Sequence, residues 1–119
     1  MRMARFLGAL CFCVPCSAYA SDYSGQQLLT DLKHGDWLES GTSTNPARDG
    51  YLGASADGYI NGAVDVMIDA GWACFPEGAK VGQTLAIVRN YLNAHPEQWQ
   101  RKASFLVGRA ITQAFPCQK

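Results

Sequence analysis

Five cysteines divide unevenly along this chain of 119 residues: Cys11, Cys13 and Cys16 fall in its first twenty, Cys74 and Cys117 far downstream. What the chain can fold into depends on whether the first three survive. Arg2 and Arg5 precede an apolar run from Phe6 to Val14, and the small residues Ala18 and Ala20 follow. That layout reads as a secretory signal peptide, residues 1–20, cleaved after Ala20 for a periplasmic location. The run is too short to stay in a bilayer as a spanning helix. The "CVP" before Cys16 lacks the Leu and the Gly or Ala of a lipid-attachment site. Cleavage then leaves one domain, residues 21–119, with two cysteines. An even count in an exported chain predicts a single disulfide, Cys74 to Cys117. Closing a loop of 43 residues contributes roughly 4 kcal/mol in the loop-entropy account, much of the net stability of a small domain.

Loss of Arg2 and Arg5 with the leader leaves eight Lys and Arg against ten Asp and Glu. A slightly acidic domain argues against a nucleic-acid partner. No later segment approaches the leader in apolarity, so no membrane association is expected after cleavage.

Apolar spacing and punctuation predict a small all-α, single-domain bundle of about four helices. Ser24 with Gln27 forms a capping-box signal, and Leu28, Leu29 and Leu32 give a short face expected to end near His34-Gly35. From Gly35 to Gly53, Gly, Ser, Thr and Asn surround Pro46 without a period, which reads as a long surface loop. Tyr59, Ile60, Ala63, Val64 and Met67 mark a second helix over about Ser55 to Ala70, with Asp57, Asp65 and Asp69 on its wet side. Gly58 and Gly62, four apart, read as close-approach points for a neighbouring helix. A third helix spans about Val81 to Ala94, stopped by Pro96, and a fourth about Lys102 to Phe115, closed by Pro116. Strict strand alternation is absent.

Catalytic chemistry finds little footing. His34 and His95 are both placed at predicted helix ends, where an imidazole suits the helix dipole. Neither has a second His or Cys at metal-ligand spacing. Asp65 and Asp69 share a polar helix face, which reads as solvated surface. Two cysteines in an oxidising compartment favour pairing over a free thiolate. No catalytic residue, metal or cofactor is assigned, and a binding protein is the expectation.

Aromatic residues in polar settings stand out instead. In "NAHPEQWQRKAS", Trp99 lies among His95, Glu97, Gln98 and Arg101. Trp and Arg dominate binding hot spots, so these five are candidate partner-binding residues. Trp99 has an equal alternative, folding back to cover the bundle end. Trp37 is similarly open, and Trp72 beside the disulfide is expected in the core.

Three stretches in order, "GYINGAVDV", "CFPEGAKVGQTLAIVRNYLNAHPEQW" and "ASFLVGRAITQAFPCQK", resemble the Rap/Tai family of immunity proteins over residues 55–119. The shared pattern is a "YI-x-G-x-x-D" helix, a "C-x-P-x-G" turn leading to a helix with "YL-x-x-HP", and a closing "FPC". The resemblance implies an exported, helical, non-enzymatic antidote that binds and inhibits a peptidoglycan amidase effector of type VI secretion. It also implies a homodimer, a common state among relatives. Many relatives carry another cysteine pair, at positions matching Leu32 and Ala56 here, and its loss implies a looser N-terminal region. Two other classes stay in view: a small periplasmic chaperone or stress-type binding protein, and a structural subunit of an envelope assembly.

Overall fold

The computed structural model describes residues 22–118. The expected signal peptide and its cleavage site lie outside them. The domain is all-α: α1 is Gly25–Glu39, α2 Pro46–Asp69, α3 Val81–Ala94 and α4 Ala103–Ala114, with a single 3₁₀ turn, Pro96–Gln98, between α3 and α4. As expected, Cys74 and Cys117 form a disulfide.

Helix α1 begins as its sequence indicates, with Ser24 Oγ accepting the Gln27 N–H at 3.2 Å. It does not end at His34-Gly35, however, but continues to Glu39. A glycine inside a helix costs about 1 kcal/mol relative to alanine; tertiary packing offsets that cost here. Gly35 faces Gly53 of α2 so closely that a Cβ on Gly53 would lie 2.6 Å from the Gly35 Cα. One turn from this contact, Leu32 and Ala56 are both fully buried. Two buried apolar residues and a backbone-to-backbone approach of the two helices thus occupy the region where relatives are expected to carry sulfur.

The expected loop from Gly35 to Gly53 shrinks to residues 40–45. Helix α1 occupies its first part, and Asn45-Pro46 starts α2. Asn45 Oδ1 accepts the Arg48 N–H at 3.2 Å, and Pro46 takes the first helical position, where its missing N–H is no loss. The same dipeptide that reads as loop punctuation is thus a helix start.

Helix α2 buries Gly53, Ala56, Ile60, Val64 and Met67. Gly58 and Gly62 are not close-approach points: a Cβ at either would meet nothing within 4 Å. Leu28 and Leu32 from α1, Ile60 from α2, Val88 and Leu92 from α3, and Leu106, Val107 and Ile111 from α4 are the largest fully buried side chains. The disulfide ties the end of the chain to the α2–α3 connection. Beside it the Cys74 N–H donates to the Phe115 carbonyl at 3.0 Å, and the rings of Phe75 and Phe115 stack with centroids 4.2 Å apart.

Trp72, expected in the core, is 64 % exposed. Helix α2 ends on Gly71 at φ +69°, with the Gly71 N–H on the Ile68 carbonyl at 3.0 Å and the Trp72 N–H on the Met67 carbonyl at 2.9 Å. This is a Schellman cap. It leaves Trp72 at the helix end, outside the bundle, while Ala73 is buried.

Candidate functional site

The connection from α3 to α4 is held by unusual means for a surface loop. The first N–H groups of a helix have no partners within it. Here Gly25 N–H donates to the Arg101 carbonyl at 2.9 Å and Gln26 N–H to the Trp99 carbonyl at 3.0 Å, while Ala103 N–H donates to the Tyr23 carbonyl at 2.8 Å. The loop's carbonyls thereby cap the start of α1. Gly25 suits the close packing there, since a Cβ would lie 2.2 Å from Leu106 Cδ1, and the buried Leu106 side chain would have to shift.

Trp99 folds back on the bundle. Its Nε1–H donates to the Leu92 carbonyl at 2.7 Å, near the α3 terminus where carbonyls lack helical partners, and its half-buried ring packs against the core. His95 is the residue that caps α3. Its ring lies 4.3 Å from that of Tyr91, and its Nδ1 is 3.1 Å from Glu97 Oε1. Gln98 Nε2 donates to the same carboxylate oxygen at 3.2 Å. The Glu97 backbone N–H first, and the His95 ring next, hold that carboxyl below its ordinary range. The Arg101 guanidinium sits 4.9 Å over the Phe105 ring. Among the five candidate residues, Trp99 thus sets the loop's path, and His95, Glu97, Gln98 and Arg101 lie around it.

A second feature escapes sequence reasoning. Beyond Arg101, an apolar groove of about 500 Å³ runs between the end of α2 and α4, with Val66, Met67, Trp72, Phe105 and Gly108 among its lining residues. Trp72 and Phe105 also line an adjoining cleft with Gln100, Arg101 and Lys102. The available signals were Gly71 just before Trp72, and Phe105 beside rather than on the buried stripe of Leu106 and Ala110.

A titratable cluster between α1 and α2 is structural. His34, expected at a helix end, lies within α1 and is buried. Its Nδ1 is 2.7 Å from Asp49 Oδ1, and Ser43 Oγ donates to Asp49 Oδ2 at 2.6 Å. The hydroxyl proton points to the carboxylate and not to the imidazole, so the trio lacks the nucleophile-to-base contact of an activated serine. Among the described residues, no three His, Cys, Asp or Glu side chains gather in a metal-binding group, and no helix is long and apolar enough to cross a membrane.

Fold and surface together define a small, disulfide-closed four-helix domain with a pinned α3–α4 connection and an apolar groove beside it. The family model of the Rap1a immunity proteins matches residues 24–117, and the chain belongs to that family. No curated protein matches the chain.

Proposed function

We propose that this chain is a periplasmic immunity protein that binds and blocks a peptidoglycan amidase effector of type VI secretion. The family match over residues 24–117 carries the reading, because it covers all four helices and both disulfide cysteines. The disulfide suits an oxidising compartment, in keeping with a leader cleaved after Ala20. An inhibitor of this kind works by complementarity, and a pre-organised surface lowers the ordering cost of association. The α3–α4 connection is such a surface: it is pinned through Trp99 and through the start of α1, and it offers His95, Glu97, Gln98 and Arg101 to a partner.

The test is inhibition of peptidoglycan digestion by an amidase encoded beside this chain. The mature protein is expected to abolish digestion near equimolar ratio. Full amidase activity in its excess would refute the reading.

A further inference from the structure

Among the described residues, nothing covers the groove between Trp72 and Phe105. Val66 is 60 % exposed, Trp72 64 % and Phe105 44 %, and they line adjoining cavities. A contiguous apolar patch of this kind on a small domain marks a binding surface. Its charges are equally specific. Arg101, Phe105 and Arg109 follow one another at four-residue intervals along the approach to α4 and its first turns, and neither guanidinium is in an ion pair among the described residues. Aromatic side chains and arginines together are the residue types that carry most interface energy.

We infer that this groove receives a segment of the cognate effector that presents an apolar side chain between carboxylates. The inference rests on the immunity reading and extends it from the α3–α4 connection down α4 to Trp72. Charge selects the occupant. Two unpaired cations on either side of an aromatic complement acidic flanks, and opposite charge at a rim accelerates association and sets register. A second copy of the chain is a poor fit. A two-fold contact presents the same patch from both sides, and centred on Phe105 it would set Arg101 against the other copy's Arg109. A lipid surface is also a poor fit, because the apolar feature is concave.

The test measures affinity for the co-encoded amidase with wild type, Trp72→Ser, the double variant Arg101→Glu/Arg109→Glu, and Lys33→Glu as a control on α1. All of these positions are exposed, and unchanged circular dichroism is the check on folding. Trp72→Ser and the double charge reversal are each expected to weaken binding by about tenfold or more, and Lys33→Glu to leave it unchanged. Amidase binding that ignores both groove variants overturns the inference and leaves the immunity reading standing.

Where wild type binds no co-encoded amidase, the immunity reading falls. The groove is then judged by two synthetic helical peptides carrying Leu and Phe one turn apart, one flanked by Glu and one by Lys, titrated while following tryptophan fluorescence. Selective binding of the Glu peptide, lost in the double variant, supports the groove's chemistry. Equal binding or none overturns it. Two further outcomes also overturn it: a wild-type dimer that Trp72→Ser makes monomeric in sedimentation, or cosedimentation with phosphatidylethanolamine–phosphatidylglycerol vesicles that Trp72→Ser abolishes.

Discussion

His34 Nδ1 lies 2.7 Å from Asp49 Oδ1, joining α1 to α2 across the short turn that connects them. The carboxylate's other oxygen accepts from Ser43 in that turn at 2.6 Å, and the Trp37 ring stands edge-on to the imidazole at 4.7 Å. One buried carboxylate therefore fixes both helices and their connection.

That carboxylate should make stability depend on pH. The Ser43 hydroxyl first, then the His34 ring and the nearby Arg48 charge, lower the Asp49 pKa from its ordinary 3.8. A folded pKa below the unfolded one contributes stability that is present above the unfolded value and lost as pH falls through the folded value. Asp49→Asn should unfold at lower temperature than wild type at pH 6, and the gap should close as both are taken below about pH 4. Thermal scans by circular dichroism at stepped pH check this; a gap that stays constant contradicts it.

Glycines of the same helix should behave oppositely according to what faces them. Gly53→Ala pushes a methyl to 2.6 Å from the Gly35 Cα, and such overpacking costs about 1–3 kcal/mol. Gly58→Ala and Gly62→Ala meet open space on the same helix and should each stabilise by about 0.4–1 kcal/mol. Urea midpoints at constant slope separate the two outcomes.

Replacing Cys74 and Cys117 together with serine should lower the free energy of unfolding by roughly 4 kcal/mol. The Cys74 N–H to Phe115 carbonyl bond should then become among the first to exchange in deuterium. Equal urea curves for wild type and the double variant would show that the cross-link does not stabilise the fold.

Trp99→Phe keeps a ring against the bundle and removes the donor to Leu92. A loss of about 1 kcal/mol is expected for the hydrogen bond, with affinity for the proposed amidase partner largely kept. Trp99→Ala should cost more, about 2–3 kcal/mol for a half-buried ring, and weaken binding to the proposed amidase partner, because the carbonyls that cap α1 lose their support. An affinity loss in Trp99→Phe equal to that in Trp99→Ala would instead place the indole N–H in the interface.

Reading the chain alone reached some elements and missed others for identifiable reasons. The span Val81 to Ala94 was legible because its apolar stripe is unbroken and Pro96 follows it. Ser24 was legible because a cap is a bond between near neighbours. Gly35 and Pro46 were misleading because each residue type has two local meanings: glycine sits at helix ends or at helix contacts, and proline breaks helices or begins them. Only the partner across the contact decides which meaning applies. His34 likewise carried no signal of burial until Asp49 faced it.

The candidate site divides the same way. Residues 95–101 were visible as an aromatic among charges, yet the direction of Trp99 depends on the Leu92 carbonyl, which accepts its indole N–H beside the N–H of His95. Trp72 was misjudged because nearness to a disulfide says nothing about which side of the backbone faces the core.

By itself, the sequence determined the all-helical class, the third and fourth helices, the sulfur pairing and the family, since each rests on periodicity, short-range capping, cysteine number or ordered motifs. Tertiary structure alone decided that α1 runs through Gly35, that α2 starts at Pro46, that a Cβ on Gly53 would strike the α1 backbone, and that Trp72 and Phe105 line an open groove. Those outcomes depend on which surfaces meet across the bundle, and contact between residues distant in the chain leaves no local pattern to read.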